Sequence, residues 1–262
     1  LTSSMAGIFT APADYGTHNN IKGNLVATAY RTRSTDPWNF KYYRYDARGR
    51  VIRMWNEIYG FDTKTFDYLY NSQNQVLIFT YQSGQADQKV TMYQYDDAGR
   101  LTNVNIPPGA QIPDEENDTP PSGSLNFANY TYNQNSQISN LKMNNQTNNV
   151  AYFYNNRNWI EQATNNLYLM YYLLDYNNNG NISNLSIAGT YNDNFSNTSD
   201  ISINYGYDKA NRLLSSVNVS SHYPHTLSNT YDKDGNILTL DRTFSGGTTD
   251  DFTYGYITNT NK

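Results

Sequence analysis

The sequence predicts an all-β protein, a repeat array of antiparallel β-hairpins forming a curved or spiralling sheet. Three observations predict it. A segment of the type Tyr45-Asp46-Ala47-Arg48-Gly49-Arg50-Val51 recurs about every 25 residues. The residues ahead of each copy alternate with a period of two, as in Phe66, Tyr68 and Tyr70 or Ile201, Ile203, Tyr205 and Tyr207. No stretch carries the apolar spacing of an amphipathic helix.

Residues 1–18 read as a lead-in, and residues 19–262 as one continuous array with no separate second domain. A degenerate copy opens at Asn19. Complete copies then begin at Tyr45, Tyr70, Tyr95, Tyr132, Tyr154, Tyr176, Tyr207 and Tyr231, and a truncated one at Tyr256. The second column is Asp or Asn in every complete copy: Asn20, Asp46, Asn71, Asp96, Asn133, Asn155, Asn177, Asp208 and Asp232. These short side chains bond to backbone N–H groups two residues on and so start a turn. The fifth column holds Gly23, Gly49, Gly99, Gly180 and Gly235, or Asn74, Asn158 and Asn211, with Ser136 the exception. Gly and Asn tolerate the positive φ that hairpin turns require. The seventh column is aliphatic throughout, from Leu25 and Val51 to Leu213 and Ile237. Each copy therefore reads strand, tight turn, strand. Tyrosines recurring on one face are expected to stack into a cross-strand ladder.

Two insertions interrupt the rhythm. Residues 103–124 hold five of the eight prolines, together with Asp114, Glu115, Glu116 and Asp118, and read as a loop leaving the sheet. Residues 189–200, rich in Asn, Asp and Ser, read as a long hairpin tip. The repeat resumes after each, so neither marks a domain boundary.

Composition narrows the function classes. The net charge is −5 with 16% charged residues, so a nucleic-acid partner would find no broad cationic footprint. Cysteine is absent, which removes disulfides and thiolate metal sites. The longest apolar run, Leu167–Leu174, is far short of the roughly 20 residues of a membrane helix.

The candidates for chemistry are few. His222 and His225 could touch one metal, but the only other histidine is the distant His18, and a polar loop explains the pair. Asp232-Lys233-Asp234-Gly235-Asn236 resembles the start of a calcium loop, yet its Gly comes too early and Thr243 stands where the bidentate Glu belongs. No metal or cofactor is expected. Three histidines leave little for general-base work, and the repeat aspartates interchange with asparagine, which catalysis would not tolerate. No enzyme is expected. Trp38, Trp55 and Trp159 are the tryptophans; Trp159 fills a turn column usually held by Arg or Asn, which makes it a candidate exposed aromatic for sugar stacking. Arg50, Arg100 and Arg212 share that column beside Asp46, Asp96 and Asp208. They read as ion pairs locking each turn, with a ligand-facing basic row the alternative.

With these columns aligned, the sequence resembles the YD-repeat, or RHS-repeat, family. YDARGRVIR at Tyr45, YDDAGRLTN at Tyr95, YDKANRLLS at Tyr207 and YDKDGNILT at Tyr231 match its signature, and YNNNGNISN at Tyr176 is a looser variant. The resemblance covers about residues 19–262. It implies a strip of hairpins coiling into a spiral, which in bacterial toxin complexes and secreted RHS proteins closes into a shell around a toxic C-terminal segment. In teneurin-like proteins a related shell serves an adhesion ectodomain. The family's DPxG-like core stretch has no counterpart here, and the chain starts and stops inside the repeat register. It is therefore expected to be a piece of a longer protein, or a subunit whose open sheet edges join end to end. The expected role is a non-enzymatic structural segment of an extracellular or cell-surface bacterial protein. It would be the wall of a β shell enclosing a polypeptide cargo or a subunit of a surface fibre. The alternative is a glycan-binding or adhesion module using exposed Tyr and Trp. The expected partners are further repeats, other copies of the chain, a polypeptide cargo or a glycan.

Overall fold

The computed structural model describes residues 11–16, 22–112, 119–165, 170–189, 201–219, 224–244, 247 and 249–256. The chain is an antiparallel sheet of eighteen consecutive hairpin strands. Its first strands are β1 (Ala27–Tyr30), β2 (Asn39–Tyr45), β3 (Val51–Glu57), β4 (Lys64–Tyr70), β5 (Val76–Tyr81) and β6 (Lys89–Tyr95). Next come β7 (Leu101–Ile106), β8 (Leu125–Tyr132), β9 (Ile138–Met143), β10 (Asn148–Tyr154), β11 (Ile160–Asn165) and β12 (Met170–Tyr176). The last are β13 (Ile182–Gly189), β14 (Ile201–Tyr207), β15 (Leu213–Asn218), β16 (His225–Tyr231), β17 (Ile237–Phe244) and β18 (Thr249–Thr253). The only helical element among the described residues is a single 3-10 turn, Pro108–Ala110. No described helix is long and apolar enough to cross a membrane.

Two compact units form. Unit 1 comprises residues 1–130 and 143–146, and unit 2 residues 131–142 and 147–262. In unit 1, β1 to β8 pair each with the next. In unit 2 the same order runs from β9 to β18.

Each repeat copy forms one hairpin of the same geometry. The first-column tyrosine pairs directly with the seventh-column aliphatic residue, as Tyr45 with Val51, Tyr70 with Val76, Tyr176 with Ile182 and Tyr231 with Ile237. The register slips by one residue at that tyrosine, which is a bulge. All nine fifth-column residues have positive φ, from 61° at Ser136 to 92° at Gly180. That explains why Gly and Asn dominate the column. Ser136 adopts the same backbone at the steric cost a Cβ brings.

The buried apolar side chains among the described residues lie in unit 1, in two clusters and at Ala128. Tyr15, Tyr42 and Trp55 form the first, with Ala27 and Phe40 packed on it. Ile78, Val90 and Met92 form the second, with Leu69, Leu77 and Ala110. In unit 2 the buried described residues are polar: Ser216, Asn218 and Asn229. Its strands pair through backbone ladders, with side-chain amide bonds such as Asn184 donating to Asn204 at 2.8 Å.

The first insertion departs from the sequence expectation at its beginning. Residues 103–106 are not loop but the second half of β7, paired with β8. The strand persists until Pro107 and Pro108 remove the ladder donors. The segment then folds back: Ala110 packs on Ile78, Val90 and Met92, and Gln88 Nε2 donates to the Ala110 carbonyl at 2.7 Å. The acidic residues 114–118 lie outside the described residues. In the second insertion, Gly189 ends β13 and residues 190–200 lie outside the described residues.

Candidate functional site

The repeated turn is the chain's most regular chemical feature. In most copies the second-column Asp or Asn uses one oxygen as a double acceptor. Asp46 Oδ1 takes the N–H groups of Arg48 and Arg50, both at 2.9 Å. Asn71, Asn133, Asn155, Asp208 and Asp232 repeat the arrangement. Asn177 is different: there Asn179 Oδ1 accepts from the Asn181 N–H. The acceptor role needs an oxygen two bonds from Cβ and no charge, so Asp and Asn serve equally. Around it the backbone closes, with Asp46 N–H on the Arg50 carbonyl and Gly49 N–H on the Asp46 carbonyl.

In several copies the sixth-column residue stitches its turn to the next. Arg50 Nε bonds Asp46 Oδ2 at 2.6 Å while its Nη1 donates to the Asn71 carbonyl of the following turn at 3.0 Å. Arg212 does the same between Asp208 and the Asp232 carbonyl. Arg100 pairs with Asp96 at 2.7 Å. Gln75 reaches the Gly99 carbonyl and Gln137 the Asn158 carbonyl. These arginines form ion pairs that lock the turns, and two of them lie over the next tyrosine, Arg50 over Tyr70 at 4.6 Å and Arg212 over Tyr231 at 4.7 Å.

Trp159 occupies this sixth column and does the same job by packing. Its ring lies 5.1 Å from that of Tyr176, and a Cβ on Gly180 would come within 3.1 Å of it. It is half-buried between two turns rather than a free aromatic face. Trp55 is also no ligand platform, since it is 1% exposed at the centre of the first cluster. Trp38 is half-buried, with Arg31 over its ring at 4.4 Å.

The repeat tyrosines do more than stack. Tyr45, Tyr70, Tyr95, Tyr154, Tyr176, Tyr231 and Tyr256 each donate the phenol O–H to the seventh-column carbonyl of the preceding hairpin, at 2.6–2.9 Å. Those acceptors are Leu25, Val51, Val76, Ile138, Ile160, Leu213 and Ile237. Ring-on-ring contacts among the described residues gather instead around Tyr15 and Tyr42 and between β4 and β5, as Phe66 with Tyr81 and Tyr68 with Phe79. Desolvation pushes the phenols of Tyr45, Tyr70, Tyr95, Tyr154, Tyr176 and Tyr207 above their ordinary value.

Turn aspartates shift the opposite way. At Asp46 partial desolvation raises the carboxyl, but bonds from Arg50 and Arg48 outweigh it. Arg100's side chain lowers Asp96, the Arg212 N–H lowers Asp208, and the Asn236 side chain lowers Asp232. A carboxyl depressed in the folded state contributes stability above its unfolded value, and that contribution is lost as pH falls through the folded value. Chemical denaturation is therefore expected to show stability falling steeply below about pH 4. Replacing Asp46, Asp96, Asp208 and Asp232 together by Asn should flatten that slope, because the asparagine turns already do not titrate. An unchanged acid limb would refute the assignment.

The metal readings resolve in part. Asp232 Oδ2 accepts from Asn236 Nδ2 at 2.8 Å, and its Oδ1 is taken by two N–H groups, so the carboxylate serves its own turn. His225 opens β16, while His18 and His222 lie outside the described residues. Among the described residues no group of three or more His, Cys, Asp or Glu could hold a metal.

No family model matches the sequence, and no curated protein matches it. The fold is similar to that in the crystal structure of TcdB2-TccC3, with a TM-score of 0.64 over 82% of this chain at 14% identity. The same complex without its hypervariable C-terminal region gives 0.63 over 80% at 14% identity. In both, the match spans 12% of the solved chain's length. At this identity the likeness is one of fold.

Proposed function

We propose that this chain is a non-enzymatic wall segment of a larger exported YD-repeat protein, one that encloses a polypeptide cargo. One observation carries the reading. The groups most readily mistaken for chemistry, namely the repeated Asp, Arg and Tyr, are engaged in bonds within a turn and between neighbouring hairpins that recur along the array. Such a lattice extends by adding units and makes sheet rather than a reaction centre. The fold likeness to TcdB2-TccC3, in which a segment of this size is a small part of a long chain, supports the same role.

The test is negative-stain electron microscopy of the whole native gene product, followed by limited proteolysis. Hollow particles that shield a segment from protease until denatured are the expected result. Uniform threads would replace the shell with a fibre. Solid particles with no protected segment would overturn the enclosing role altogether.

A further inference from the structure

Asn179 is the one asparagine of the chain followed by glycine. The pair fills the fourth and fifth columns of the turn between β12 and β13, the copy that departs from the common plan. In most copies the sixth-column N–H bonds a second-column oxygen, as Arg50 N–H bonds Asp46 Oδ1. Here the sixth-column N–H, that of Asn181, donates to Asn179 Oδ1 at 3.3 Å. This bond folds the exposed Asn179 carboxamide back along the Gly180 peptide. Asn179 Nδ2 also donates to Asn211 Oδ1 of the following turn at 2.6 Å, and Asn181 Nδ2 reaches the same oxygen at 3.1 Å. The Asn179 amide thus joins its turn to the one that follows the second insertion.

The placement suits one covalent step. A following glycine puts no side chain between its amide nitrogen and the carboxamide carbon before it. The Asn181 N–H, already on Oδ1, is placed to stabilise that oxygen as negative charge develops on it. The step must release the Gly180 N–H from the Asn177 carbonyl, where it bonds at 3.0 Å. We propose that Asn179 is a site of spontaneous deamidation that, as the protein ages, loosens the joint to the Asn211 turn.

Gly180 N gives its proton to water or hydroxide and attacks Asn179 Cγ. The N–Cγ bond forms, the Cγ–Nδ2 bond breaks, and the nitrogen leaves as ammonia. Water then opens the succinimide at either carbonyl. One opening gives aspartate, and the other gives isoaspartate, with the main chain rerouted through the β-carbon. No oxidation or reduction takes place. Either product sets a carboxylate, which cannot donate, opposite Asn211 Oδ1. Isoaspartate also adds a methylene to the backbone of a turn that Asn177 N–H closes on the Asn181 carbonyl at 2.8 Å. The inference is independent of the shell reading.

The full chain would be incubated near neutral and at mildly alkaline pH, natively and in urea. Peptide mapping by mass spectrometry would separate isoaspartate from aspartate. Native conversion at Asn179 should yield both products and quicken as pH rises. It should run at least about tenfold ahead of Asn71 and Asn135, which precede serine. Asn179→Gln, which would have to close a larger ring, should stop conversion there and leave thermal unfolding unchanged. Asn179→Asp carries the product's charge. It should speed amide exchange several-fold at Asn211, whose N–H bonds the Asp208 carbonyl, and aged wild-type chain should match it. Conversion confined to urea, aspartate without isoaspartate, or a lead by Asn71 or Asn135 would overturn the site. Unchanged exchange at Asn211 in both the aged chain and Asn179→Asp would overturn the loosening of the joint.

Discussion

Trp55→Ala is expected to remove about 3–5 kcal/mol from unit 1, the range of a buried large aromatic truncated to alanine. The side chain is 1% exposed and faces Tyr42 in the β2–β3 register. Tyr15 meets it edge-on at 5.1 Å, and its Nε1 donates to Asp14 Oδ1 at 2.8 Å. Truncation would open a cavity and take the indole donor from Asp14, which would keep its bond from Arg53. It would also release the lead-in, whose Tyr15 hydroxyl otherwise bonds the Val26 carbonyl at 2.8 Å. Trp55→Phe separates these effects: it keeps most of the volume and loses the donor, so about 1–2 kcal/mol should go. Urea unfolding followed by circular dichroism measures both. Faster amide exchange at Tyr15, whose N–H bonds the Pro12 carbonyl, should accompany the alanine variant. A loss under about 1 kcal/mol would mean the lead-in contributes little to this cluster.

That contact also shows where reading the sequence stops. The hairpins, their turns and the positive-φ column were legible because nine copies repeat the same local demands, and local demands are written in neighbouring residues. The ion pairs of Arg50, Arg100 and Arg212 were legible for the same reason, being four residues from their aspartates. The bond from Trp55 to Asp14 spans 41 residues and has no periodic signal. Residues 1–18 therefore read only as a lead-in, although Tyr15 is part of a core cluster. The tyrosine column was visible, but its main bond was not. Spacing can show that Tyr70 recurs in register with Val76, yet only the neighbouring hairpin shows that its hydroxyl ends on the Val51 carbonyl.

Trp159 shows a different limit of reading the sequence. A large residue in an arginine column looks like a departure from the pattern and so like a site. Arg50, Gln75, Gln137, Asn181 and Arg212 in that column bridge to the next turn, however, and a ring can do by contact what a guanidinium does by hydrogen bonds. The available signal was Gly180, one turn on, which leaves room for the indole. In the first insertion, prolines outweighed the alternation of Asn103, Val104, Asn105 and Ile106, and the loop was begun four residues early.

Met92→Ala is the second substitution expected to have a large effect, about 2–5 kcal/mol. Met92 is 2% exposed and sits directly across from Ile78, which in turn faces Leu69, so one apolar row crosses β4, β5 and β6. Val90, 1% exposed, lies two residues along on the same face. The segment after Pro107 covers the row through Ala110. Met92→Leu, which conserves volume, should cost less than about 1.5 kcal/mol. Phe127→Ala, at a residue 52% exposed, should stay within about 0.5 kcal/mol. In an array where each hairpin contacts mainly its neighbours, the damage should remain local. Hydrogen exchange is then expected to quicken in β5, β6 and residues 107–112 while β14 to β17 keep their protection. Uniform loss of protection across the chain would mean instead that the sheet melts as a single cooperative body.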